Sequence, residues 1–230
     1  LVSEDRVAIA GGCALNSVAN GKIFDNTSFI ETCIQPAAGD DGLALGSALY
    51  VSNSILKEDK RWVMDNAYLG PEFSDLEIES ELNRIGIFYK KLNREKLLSE
   101  TVSRLALGNI VGWFQGRMEW GPRALGNRSI LAHPGLPTIK DTLNARIKHR
   151  ESFRPFAPVV LVEKQNEIFD YHHPSPFMLH VYGIRPNWRD RLCAVNHVDN
   201  TGRLQTVSRD ENPLYYDLID KFFEKTGVPV

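Results

Sequence analysis

The stretch Asp5–Pro36, DRVAIAGGCALNSVANGKIFDNTSFIETCIQP, decides the fold class. RVAIA is an apolar run of strand length, two glycines break it, CALNSVANGKIF has helical character, and SFIETCIQP reads as a second strand. AAGDDGLALGSALYVSNSIL follows as a second helix. Strand and helix alternate, which predicts an α/β (α+β) layer architecture.

Working outward, residues 57–66 are polar and charged, and a domain boundary is placed there. SDLEIESELNRI carries a capping-box pattern at Ser74 and Glu77. A longer helix begins near Arg94 with Leu98, Val102 and Leu105 on one face, and Gly108 is placed to end it. NIVGWF, Asn109–Phe114, is a short strand that feeds GRMEWGPRALGNRSILAHP, Gly116–Pro134. Thr138 and Asp141 form a second capping pattern, with Ile139, Leu143 and Ile147 on one face of a helix that Pro155 stops. Beyond it, strands are expected in PFAPVVLVEKQNEIFDY, SPFMLHVYGI, LCAVNHVD and RLQTVS, and a late helix in YYDLIDKFFEKTG.

The 230 residues are 43% hydrophobic and 24% charged, the composition of an ordinary globular protein. A net charge of −2 argues against coating nucleic acid or an anionic membrane by bulk electrostatics. Three scattered cysteines, Cys13, Cys33 and Cys193, suggest neither a disulfide framework nor a zinc module. No apolar run approaches the roughly 20 residues of a membrane span and no leader pattern precedes the first strand, so a cytoplasmic setting is expected. The chain opens on Leu1 and stops at TGVPV, which reads as a piece of a longer protein.

Four stretches could carry chemistry. In AGGCALN, Gly11 and Gly12 would let backbone N–H groups approach a ligand, with Asn16 adding a side-chain hydrogen bond; a tight turn with no ligand is the plainer alternative. In AAGDDGLALG, Asp40 and Asp41 suit a helix start, and a carboxylate there could also ligate a metal. Between Gly116 and Arg154 stand eight Lys or Arg against three Asp or Glu, in a chain of net charge −2. Arginines set among glycines suit bidentate binding of phosphate or carboxylate, and a solvated basic face is the alternative. HVDNTGRLQTV places His197, Asp199, Arg203 and Gln205 close together as polar contacts. His172 and His173, if on a strand, would point to opposite faces and could not share a metal.

Taken together, AGGCALNSVANGKIF, QPAAGDDGLALGSAL, GRMEWGPRALGNRSILAHP, RIKHRESFRPFAP, SPFML, HVDNTGRLQTV and NPLYYDLIDKFFEKTGVPV resemble, in order, the blocks of the O-carbamoyltransferases of the nodulation and antibiotic-biosynthesis type. The resemblance implies that residues 1–66 are the C-terminal portion of an actin-like, sugar-kinase-like carbamoyl-transfer domain. Residues 67–230 would be a domain like the threonylcarbamoyl-adenylate synthases, truncated at its end. The second would turn carbamoyl phosphate and ATP into carbamoyl-adenylate, releasing pyrophosphate. The first would pass the carbamoyl group to a hydroxyl of a small-molecule acceptor.

By the same resemblance, Gly11, Gly12 and Asn16 bind the adenylate and Asp40 ligates iron or another divalent metal. Arg123, Arg128, Lys148, Arg150 and Arg154 line the carbamoyl phosphate and ATP site, neutralising phosphate charge without a protein nucleophile. Asp41 departs from the small residue usual there, and Asn200 and Gly202 stand where the family shows Gly and Ala, which puts the loop geometry in question. The metal-binding histidines of the family's N-terminal half and an asparagine-rich segment after Val230 lie outside the sequence, so complete transfer is not expected of these residues alone. No nucleic acid partner is expected, and a homodimer is left open. The competing readings are a tRNA threonylcarbamoylation or hydrogenase-maturation factor and a noncatalytic anion- or RNA-binding module.

Overall fold

The computed structural model describes residues 3–230. Its first third contains β1 (Arg6–Ile9), α1 (Ser17–Gly21), α2 (Ile23–Asn26), β2 (Glu31–Ile34) and α3 (Leu43–Tyr50). β1 and β2 pair in parallel, with Arg6 opposite Glu31 and Ile9 opposite Ile34, so the expected alternation of strand and helix is present. The expected first helix is broken. A 3-10 turn covers Gly12–Leu15, and Asn16 restarts the chain by accepting a hydrogen bond from the Ala19 amide at 3.1 Å. Asn16 is thereby an N-cap, and its side-chain oxygen is engaged by the helix it starts.

The middle of the chain forms α4 (Asp75–Arg84), α5 (Arg94–Ala106), β3 (Val111–Phe114), β4 (Arg128–Leu131) and α6 (Ile139–Leu143). The Ser74–Glu77 capping box is formed in both directions. Leu98, Val102 and Leu105 of α5 are buried as their spacing predicts, and Gly108 follows with φ +83°. The second capping pattern is not realised: Thr138 has no side-chain cap bond, and its carbonyl instead accepts from the Thr142 hydroxyl at 2.9 Å. Nor does the helix run on to Pro155. A π-helical turn covers Asn144–Lys148, His149 follows in the left-handed region at φ 47°, and Ile147 is left exposed.

The last part contains β5 (Val159–Leu161), α7 (Gln165–Ile168), β6 (His180–Gly183), β7 (Thr201–Val207) and α8 (Pro213–Thr226). β7 is central, parallel to β5 and antiparallel to β6. α8 packs on α5, and one core joins Leu98 and Val102 to Phe169, Leu204, Leu218 and Phe222. Each such side chain, removed from water, contributes about 1.5–3 kcal/mol. LCAVNHVD is a run of turns, not a strand, because His197 closes a short loop through its amide to the Thr201 carbonyl at 2.8 Å. His172 and His173 are likewise off any strand, and their rings lie 4.5 Å apart instead of on opposite faces.

The early and late parts of the chain are in contact. Asn20, buried in α1, donates from Nδ2 to the carbonyls of Ala14 at 2.8 Å and Leu179 at 3.0 Å, which seats α1 against β6. The result is a mixed α/β structure of small sheets. Among the described residues, no helix is long and apolar enough to cross a membrane.

Candidate functional site

The Gly116–Pro134 stretch leaves β3, makes a loop and returns as β4, antiparallel to it. Its backbone wraps the Glu119 side chain. One carboxylate oxygen, Oε1, accepts from the amides of Leu125 at 2.7 Å, Asn127 at 2.9 Å and Arg128 at 3.1 Å. Gly126, at φ +109°, lies so near the Tyr215 ring that an added Cβ would stand 2.3 Å from Cδ1. Gly121, at φ +108°, brings the loop against the Pro36 carbonyl in the first third of the chain. Both positions therefore require glycine.

Between these anchors Arg123 projects into a cavity of about 410 Å³ that also takes Lys148 and Arg150 from one other segment and Arg203 and Gln205 from β7. The volume is in the range of small-molecule sites. Four basic side chains and no acidic one line it. The Nε atoms of Arg123 and Arg203 are buried without a hydrogen-bond partner. Burial, with Arg123 and Arg150 close by, lowers the Arg203 guanidinium to about 10, and burial lowers Arg123 as well. Unpaired cations held out of water are costly, and an anion is the group that relieves them.

Arg150 is held rigidly. Its Nε donates to Asn144 Oδ1 at 2.8 Å, and its guanidinium lies 4.8 Å from the centre of the Phe156 ring. Asn144 is itself buried and donates to the carbonyls of Ser152 at 3.1 Å and Arg154 at 2.9 Å. The π turn that interrupted the expected helix is what brings Asn144, Lys148 and Arg150 to these positions, and such turns recur at functional sites. Gln205 donates to the Leu125 carbonyl at 2.9 Å, tying β7 to the loop.

Other expected residues are elsewhere. Arg128 is not a cavity residue: its guanidinium donates to the carbonyls of Gln115, Gly116 and Asn127 and stacks 3.5 Å from the centre of the Phe114 ring, so its donors pin the loop. Arg154 pairs with Glu151 at 2.9 Å, largely exposed, and does not line the cavity. His197 and Asp199 fold onto Thr201, through Nδ1 at 3.0 Å and Oδ1 at 2.7 Å. Burial lowers the His197 imidazole, opposed by Asp199 and reinforced by Arg203 and Lys140. Asn200 adopts φ 61°, the left-handed region that suits Gly and that Asn tolerates, so either residue is compatible with this backbone. At Gly202 an alanine Cβ would meet its nearest neighbour, Ile184 Cδ1, at 3.2 Å, which small movements accommodate.

Gly11 and Gly12 leave open space where side chains would be, and the Gly11 amide donates to the Ala38 carbonyl at 2.8 Å. Arg123 reaches toward this turn, with Nη2 at 3.4 Å from the Leu15 carbonyl. Asp40 is exposed at the start of a 3-10 turn, and among the described residues no three His, Cys, Asp or Glu cluster as a metal site. The described residues therefore do not by themselves fit a metal.

Family comparison agrees with the sequence blocks. The model of the carbamoyltransferase C-terminus matches residues 102–230, and that of the carbamoyltransferase N-terminus matches residues 2–49. The chain belongs to the carbamoyltransferase family. Relatives of this carbamoyltransferase chain include the nodulation protein NolNO of Sinorhizobium fredii, 45% identical over 98% of the chain and 34% of the relative. The nodulation protein NolO of Bradyrhizobium diazoefficiens is 42% identical over 98% of the chain and 42% of its own length. The Synechocystis protein sll1178 is 43% identical over 95% of the chain and 40% of its own length. The carbamoyltransferase chain thus spans about two-fifths or less of these relatives.

The residues missed in sequence are Glu119, Asn144 and Asn212. Asn212 is a buried hub: Nδ2 donates to Tyr68 Oη at 3.0 Å and Asn127 Oδ1 at 2.9 Å, while Oδ1 accepts from Gln115 and the Tyr215 amide. Only the position of Asn212 before Pro213, a helix-start signal, was available from sequence.

Proposed function

We propose that the basic cavity binds the phosphates of ATP and carbamoyl phosphate in an ATP-dependent carbamoyltransferase that forms carbamoyl-adenylate and passes its carbamoyl group to a hydroxyl of a small molecule. The observation that carries this reading is the convergence of Arg123, Lys148, Arg150 and Arg203 on one cavity with no acidic partner. Mass balance requires water: it attacks the phosphorus of carbamoyl phosphate, releasing phosphate and carbamate. A carbamate oxygen then attacks the α-phosphorus of ATP, and pyrophosphate leaves. Charge moves between oxygens throughout, and fixed guanidinium and ammonium groups offset it without accepting a bond.

Arg150, locked by Asn144 and Phe156, is suited to a fixed phosphate position, and Lys148 to a moving one, because its ammonium acts as a flexible point charge. Transfer to the acceptor, releasing AMP, is assigned to the part of the protein that includes the Gly11–Gly12 turn. The proximity of Arg123 to Leu15 supports a short path between the two steps. The actin-like and adenylate-synthase-like assignments of the two parts, and a cytoplasmic setting in keeping with three free cysteines, belong to the same proposal. Calorimetry of the intact protein with ATP and with carbamoyl phosphate tests the site. Binding of both, weakened at least tenfold by Arg150→Ala, is expected; equal affinity in the variant removes the cavity from the reaction.

A further inference from the structure

We infer that Glu119 is a positioning residue, which fills the loop's own amide nest so that Arg123 is held toward the cavity and left free for the ligand. The inference rests on the cavity being the phosphate site. Three consecutive-facing amides, those of Leu125, Asn127 and Arg128, form the kind of concavity that ordinarily takes a phosphate or carboxylate. Here Glu119 takes them. Its side chain closes a ring from residue 119 to residue 125, and Arg123 stands within that ring.

Two consequences follow from the geometry. A ligand phosphate has no access to those amides and must be held by side-chain cations. Glu119, although only four residues from Arg123, forms no ion pair with it among the described residues, and its Oε1 is committed to the backbone. The opposite side of the ring is anchored independently. The Leu125 carbonyl accepts from Tyr68 Oη at 3.0 Å and from cavity-lining Gln205 at 2.9 Å. Carboxylate on one side and buried donors on the other leave the loop little freedom, which is how a binding group is kept pre-organised.

A double-mutant cycle in the intact protein, with inorganic pyrophosphate as the probe, separates positioning from general structure. Glu119→Gln keeps shape and one acceptor but loses the charge. It is expected to weaken pyrophosphate binding about tenfold when Arg123 is present and less than twofold when Arg123 is alanine. Equal losses in both backgrounds, or no loss in either, overturn the inference. A second measurement needs no variant: by linkage, pyrophosphate must slow hydrogen exchange at the Leu125, Asn127 and Arg128 amides, and unchanged exchange on binding contradicts the inference. If pyrophosphate does not bind the unaltered protein at all, the phosphate-site reading itself fails, a result distinct from both.

Discussion

Arg203 sits within electrostatic reach of Arg123 in the same cavity, and neither guanidinium Nε has a hydrogen-bond partner. Like charges are held together there, partly shielded from water, at a cost to the fold. Arg203→Met removes one buried charge and keeps much of the side chain's volume. The variant is expected to be more stable than the unaltered protein by about 1 kcal/mol, while losing at least tenfold in pyrophosphate affinity. Urea unfolding and calorimetry read the two halves; a variant both less stable and unchanged in affinity contradicts the assignment.

Asn144 is expected to couple stability to site geometry. Asn144→Ala leaves the carbonyls of Ser152 and Arg154 and the Nε of Arg150 without their partner. A loss of about 2–3 kcal/mol follows from such buried unsatisfied groups. Nucleotide affinity should fall in the folded variant as well, and thermal unfolding with and without ATP measures both.

Gly126→Ala should be among the most damaging single-methyl additions in the chain. The positive φ and the Tyr215 ring both oppose it, and the ring belongs to α8 and cannot withdraw without moving the core. A cost of at least about 3 kcal/mol is expected. For a chain of this size that corresponds to a fall of about 6–12 °C in the unfolding midpoint.

His180 gives a pH test of the packing between β2 and β6. Burial, with His173 beside it, pushes its imidazole down to about 4. The folded value lies below the unfolded one, near 6.5, so the unfolded state binds the proton first. Stability from this group is complete above about pH 6.5 and is lost as pH falls toward 4, by up to about 3 kcal/mol. Urea midpoints of the unaltered protein should drop across that window, and those of His180→Gln should drop less. An imidazole that titrates near 6.5 by NMR contradicts the buried arrangement.

Local signals in the sequence identify β1, β2, the Ser74 capping box and the buried face of α5, because each depends on neighbours within a turn or two. The same reasoning fails at residues 138–150, where Asn144 needs partners on the following loop and a π turn replaces the continued helix. Residue type marks Arg123, Lys148 and Arg150, which line the cavity, in the same way as Arg128 and Arg154, which do not. That distinction comes from the Phe114 ring and three carbonyls in one case and Glu151 in the other. Glu119 was legible only as a lone acid in a basic stretch. Its role depends on amides six to nine residues ahead, brought back by two glycines at positive φ.

The central claim is that the cavity of Arg123, Lys148, Arg150 and Arg203 handles the phosphates of carbamoyl-adenylate formation. Exchange of labelled pyrophosphate into ATP by the intact protein tests it most directly, because exchange requires adenylate formation to run backwards. Exchange that depends on carbamoyl phosphate and falls at least a hundredfold in Arg150→Ala is the predicted result, an electrostatic loss of about 2.7 kcal/mol or more. Exchange of equal rate in the unaltered protein and the variant would contradict it.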